Sequence, residues 1–243
     1  MNDTVEATTL NERTFALRSQ DRFLRDNIAE DDVLIVSIGG NDIALLPLPC
    51  TIVSMAGLVC LPSSLVRNGF RCCVVPCDDC CCGCGASLLS CGGSCPPCLG
   101  YLYHLFGQRV QHYIEKLTAK TKPKKILICM IYYPDEHPTP SWAGPALGAL
   151  RYNSEPSRIQ QLIRKVFEDA VSRIRIPNSQ VIPVPLFNAL DGRRSQDYVA
   201  RVEPSAIGGR KMAEFLLDII AQEHSPTQAP ITAPSMSLMG ERS

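Results

Sequence analysis

Apolar residues recur along this chain in two rhythms. Three short runs are nearly unbroken: Val33-Leu34-Ile35-Val36 followed by Ser37-Ile38, Ile126 to Ile131, and the segment from Gln180 to Leu186. β-Branched runs of this length, without alternation, predict strands buried on both faces, as in a parallel sheet. Pro183 and Pro185 place the third run at a sheet edge, because proline cannot donate to a ladder. Elsewhere the spacing is helical. Phe23, Leu24 and Ile28 share one face, opposite Arg22, Arg25 and Asp26, and predict a helix packed on the sheet with Ser19 as its N-cap. Leu102, Phe106, Val110, Tyr113 and Leu117 mark a helix over residues 101–121. Ile159, Leu162, Ile163, Val166, Phe167, Ala170, Val171 and Ile174 form the stripe of another. Ser154 opens that helix, or Ser157 does so through a capping box with Gln160. A last helix starts after Pro204 and an N-capping Ser205 and turns Met212, Leu216, Ile219 and Ile220 inward. Strands alternating with helices predict an α/β chain with a parallel sheet.

Two stretches fall outside these rhythms. Residues 43–66 carry no charge, yet Pro47, Pro49 and Pro62 leave only Cys50 to Leu61 as an uninterrupted helical piece. That is short for a bilayer span. It suits a core or lid helix, or alternatively a membrane-dipping lid over a lipid ester. An insert at about 67–100 holds most of the cysteines. Its C-x-x-C pairs Cys77/Cys80 and Cys95/Cys98 have a spacing close to that of four-thiolate zinc sites, and a third pair lies at Cys81/Cys84. S-acylation is the rival reading, because the flanks are apolar and a lipid would associate the insert with a membrane. A poorly ordered loop is the third. The Ser/Pro/Thr-rich residues 224–243 lack periodicity and read as a disordered tail after one domain over 1–223.

Composition narrows the function classes. The 243 residues are enough for a full core, and 24 acids balance 24 bases, which argues against nucleic acid as the main partner. The polar opening MNDTVEATTLNERTF lacks the apolar core of a secretory signal and favours the cytoplasm. Thirteen cysteines, most of them in one insert, favour metal or lipid attachment over a disulfide scaffold.

Ligands in open α/β sheets sit beyond the carboxyl ends of strands. Gly39-Gly40-Asn41-Asp42 ends the first predicted strand. Its glycines let backbone approach a ligand, and the Asn41 amide is a natural donor to a developing oxyanion. The loop Tyr132 to Pro138 ends the second, which makes His137 a candidate base, and Trp142 and Tyr152 follow it as pocket residues.

Gly39-x-Asn41-Asp42 resembles the G-x-N-D block of the SGNH, or GDSL-type, hydrolases. The late segment Asp197 to Ser205 is similar to that family's D-x-x-H-P block before a final helix. The resemblance implies a three-layer α/β/α flavodoxin-like parallel sheet and hydrolysis of a small-molecule or lipid-like carboxylic ester by a Ser/His/Asp triad, with no cofactor required. Residue by residue, it puts Asn41 at the oxyanion-donor position, with Gly39, Gly40 and Asp42 as its supporting block. Glu203 stands in place of the histidine, and Asp197 is the nearest triad acid. The family's Gly-Asp-Ser block is absent, and no glycine precedes Gly39. The chain therefore reads as lacking the first strands, as a fragment or truncated product would, which leaves Val33–Ile38 at an edge. Ser37, on a strand, would face a layer interior and is a poor substitute nucleophile. Glutamate at its ordinary pKa of about 4.3 is a poor base toward serine. Two functions follow as expectations. One is an SGNH-like ester hydrolase whose activity in this chain is weak or lost. The other is a non-catalytic binding or scaffold protein with a zinc-binding or acylated insert. Pairing of Glu203 with Arg201 or Arg210 is the non-functional alternative for that residue.

Overall fold

The computed structural model describes residues 8–44 and 100–222. Three parallel strands form one sheet in the order β1-β2-β3: β1 is Val33–Ser37, β2 Lys125–Met130 and β3 Gln180–Pro185. Val33 pairs with Lys125 and Lys125 with Gln180, so the three strands run level from their first residues. Among the described residues the helices are α1 Ser19–Asn27, α2 Gly40–Ala44, α3 Gly100–His104, α4 Val110–Leu117, α5 Gly144–Ala149, α6 Pro156–Asp169 and α7 Ala206–Gln222. All three predicted strands are present, each within a residue or so of its expected bounds, and the architecture is mixed α/β.

The sheet separates two cores. Ile126, Ile128 and Met130 of β2 and Leu34 and Val36 of β1 face α3, α4 and α6. Leu127 and Cys129 turn the other way, with Val184 and Leu186, under Met212, Phe215, Leu216, Ile219 and Ile220 of α7. β2 is thus buried on both faces, as its unbroken apolar run predicts. β1 corrects the same expectation. Its burial alternates: Leu34 and Val36 are buried while Ile35 is 44% exposed and Ser37 is exposed. The reason is coverage, since among the described residues the α7 core takes in only Val33 of β1 and leaves Ile35 and Ser37 outside it.

Other local expectations are also revised. Of the predicted apolar face of α1, only Ile28 is buried, while Phe23 and Leu24 are 51% and 38% exposed. The helix opens with Arg18 at the N-cap, whose N–H donates to Asp21 at 2.9 Å, in place of a Ser19 cap. The Ser157/Gln160 capping box does not form, because the helix starts at Pro156 and Gln160 donates instead to Glu136 at 2.7 Å. The predicted helix over 101–121 is interrupted: Leu105–Arg109 is a π-helical turn between α3 and α4. Ser205 does cap α7, accepting from the Gly208 N–H at 3.2 Å.

Both sheet edges are strands, and they differ chemically. The Gln180 N–H donates to the Lys124 carbonyl at 2.8 Å. Alternate residues of a parallel strand turn to the same neighbour. Val181, Pro183 and Pro185 therefore point outward, and two of these three lack a donor. β1 has no proline. Among the described residues nothing pairs with its outer edge.

Candidate functional site

Because the strands are parallel, their carboxyl ends bring three loops together: Ile38–Asn41, Ile131–His137 and the segment from Leu186 to Asp197. A cavity of about 610 Å³ opens along this rim and runs beside β1. Its walls are mostly aliphatic and aromatic, Leu24, Leu117, Leu147, Ile159 and Trp142 among them. Ser37, Gly39, Gly40 and Asn41 line it, and so does Val202, the neighbour of Glu203. Asn41 and the Glu203 loop thus border one space. Ser37 corrects the expectation of a layer-facing side chain, being exposed and lining this cavity.

The glycine turn is tightly built. Gly39 has φ +102°, and a Cβ there would lie 2.7 Å from the Phe106 ring. Only glycine meets both demands.

Each polar residue beyond the turn has a structural partner. Asn41 donates from its amide to the Thr8 carbonyl at 3.0 Å. Asp42 is fully buried and accepts from the backbone N–H groups of Leu10 and Asn11 at 2.7 and 2.8 Å, which closes the start of a 3₁₀ turn over Asn11–Arg13. Burial pushes the Asp42 carboxyl above its ordinary value, against the pull of those two bonds and of the Arg109 guanidinium. Arg109 grips the same segment, donating to Asn11 Oδ1 at 2.7 Å and Thr14 Oγ1 at 2.8 Å. Gly39-Gly40-Asn41-Asp42 therefore fastens residues 8–14 across the sheet end.

The late block is engaged as well. Asp197 is buried and holds the Lys211 ammonium through both oxygens, at 2.7 and 2.6 Å. Glu203 accepts from the Trp142 indole N–H at 2.8 Å and is paired with neither Arg201 nor Arg210. Arg201 is itself buried, at φ +60°, with its guanidinium on the Asp135 carbonyl at 3.1 and 3.3 Å and on Asn153 Oδ1 at 2.8 Å. Tyr132 donates to the Val202 carbonyl at 2.6 Å. Burial, with the Glu203 carboxylate adding to it, pushes the Tyr132 phenol up to about 12. Asp197 and Glu203 thus have separate partners, and no hydrogen bond joins them.

A second cluster was only half legible in the sequence. His137 Nδ1 lies 3.1 Å from Asp135 Oδ1 and 3.0 Å from Ser195 Oγ, and Ser195 Oγ lies 3.1 Å from Asp135 Oδ1. The two-residue spacing of Asp135 and His137 at a strand end was the available signal. Ser195, 60 residues from Asp135 in sequence, gave none. Trp142 lines the cavity as expected, but Tyr152 is buried behind it and donates to the Pro134 carbonyl at 2.8 Å.

Cys77, Cys80, Cys95 and Cys98 lie outside the described residues, as do most of residues 43–66 and the tail. Among the described residues there is no group of three or more His, Cys, Asp or Glu side chains placed to hold a metal. Among the same residues no helix is long and apolar enough to cross a membrane.

No protein-family model, curated protein or solved structure matches the chain.

Proposed function

We propose that this chain is an SGNH-like, flavodoxin-type α/β protein that binds an apolar, acyl- or ester-like small molecule at its carboxyl rim, without hydrolysing it through the positions of the family triad. The observation that carries the reading is a pairing of opposites. The cavity is roomy and apolar-walled, in the size range of small-molecule sites. The residues that occupy the family-motif positions are committed to the fold: Asn41 to Thr8, Asp42 to Leu10 and Asn11, Asp197 to Lys211 and Glu203 to Trp142. A triad needs a nucleophile within reach of a base whose pKa lies near operating pH. Glu203, paired with an indole and 61 residues from Trp142 in sequence, is placed as an anchor for the rim loop.

Titration with a fluorescent long-chain fatty acid tests this. Saturable binding is expected, weakened by Leu147→Trp, which would narrow the cavity. In parallel, p-nitrophenyl esters of long acids should show no turnover that depends on Asn41 or Glu203. Brisk hydrolysis abolished by Asn41→Ala would overturn the non-catalytic reading, and absence of saturable binding would remove the ligand.

A further inference from the structure

The Asp135/His137/Ser195 cluster lies on the same rim but outside the cavity lining. Asp135 is held before it acts. Its N–H donates to the Arg201 carbonyl at 2.8 Å, its own carbonyl accepts from the Arg201 guanidinium, and its carboxylate is 2% exposed. Oδ1 receives the His137 backbone N–H at 3.0 Å, the His137 Nδ1 at 3.1 Å and the Ser195 hydroxyl at 3.1 Å.

This geometry assigns the protons. An ionised carboxylate only accepts, so a bare Nδ1 would set two lone pairs against each other. Nδ1 therefore carries the hydrogen, and Nε2 of the neutral ring is left with its lone pair. Ser195 sends its own proton to Asp135 and meets the protonated nitrogen of the ring. It is thus not an activated nucleophile, because both of its short contacts end on the wrong atoms. The His137 side chain, by contrast, is 63% exposed.

We propose that His137 is a nucleophilic acyl acceptor for small, activated acyl compounds such as aryl esters. The Nε2 lone pair forms an N–C bond to the carbonyl carbon, and the C–O bond to the phenolate breaks. Water then adds to the acyl-imidazolium, the N–C bond breaks, the carboxylic acid leaves, and the remaining proton passes to the released phenolate, so that Nε2 is free again. Asp135 is a positioning residue that keeps Nδ1 protonated and the positive ring paired during acylation. The open position of His137 suits short acyl groups, whereas long chains belong to the separate cavity. This inference does not rest on ligand binding there.

The test uses the full chain with its thiols blocked by methyl methanethiosulfonate and p-nitrophenyl acetate as the probe. Turnover above buffer is expected, reduced about tenfold or more by His137→Gln. Asp135→Asn should lower kcat with KM unchanged, Ser195→Ala should retain turnover to within a fewfold, and His112→Gln should leave the rate as it was. Diethyl pyrocarbonate should modify His137 faster than His112, which is exposed beside Glu115. Because His137 is exposed, its variant should keep the wild-type circular dichroism. Equal rates for wild type and His137→Gln, or loss of activity in Ser195→Ala, would overturn the assignment.

Discussion

At the scale of single residues, the turn after β1 is constrained from both backbone and packing. Gly39→Ala would force a side chain into φ +102° and against a buried phenylalanine ring. It should cost about 1–3 kcal/mol, read as a lowered urea midpoint with an unchanged slope. Asp197 presents a different liability. Removing its charge in Asp197→Asn leaves the Lys211 ammonium, 30% exposed, without its counter-ion, and a loss of about 1–3 kcal/mol is expected. A double-mutant cycle with Lys211→Met should recover much of that loss. If the two variants add independently, the pair does not hold the loop. These residues also mark the limit of what the sequence discloses. Glycine, asparagine and aspartate at a strand end are legible as a turn that can carry chemistry. Whether Asn41 faces a ligand or the Thr8 carbonyl depends on a segment 33 residues away, and no local pattern carries that information.

At the scale of elements, the strands were read well because their signal is local: unbroken β-branched runs and two edge prolines. Helix ends were read less well. The cap expected at Ser157 is displaced because Gln160 finds Glu136 and Tyr152 on the neighbouring loop. The over-prediction for β1 has a physical origin too, since its run looks like that of β2 but the core under the last helix takes in only its Val33. β1 presents Ile35 and an outer edge without proline, charge or bulge, the features by which natural edges resist pairing with other chains. Ile35→Lys should therefore raise the protein concentration at which light scattering first appears. Unchanged scattering would mean that this edge does not drive association.

At the scale of the molecule, the central strand is closed off from water, and the consequence is a weakness at high pH. Burial pushes the Cys129 thiol from its ordinary 9.0 up to about 12, and the Tyr132 phenol from 10.0 to about 12. Both groups ionise more readily in the unfolded chain. Their contribution is whole below about pH 9 and is lost as pH rises from 9 toward 12. Urea midpoints should fall across that window, and Cys129→Ser variants should not be needed to see it. In the native state Cys129 should resist iodoacetamide at pH 8 and react only after denaturation, as peptide mass spectrometry would show. The division into two cores about a parallel sheet was legible from the run-and-stripe pattern, but the fastening of residues 8–14 was not, because it depends on Arg109, 98 positions beyond Asn11. That reach rests on the wide turn at Leu105–Arg109. A π turn is a helix with one residue inserted. A chain lacking Gln108 would wind straight through as ordinary α-helix: the residues beyond the turn would keep their faces, and those within it, Arg109 included, would shift. Arg109 would move off Asn11 and Thr14, so a single lost codon in mid-chain would release residues 8–14 to a protease.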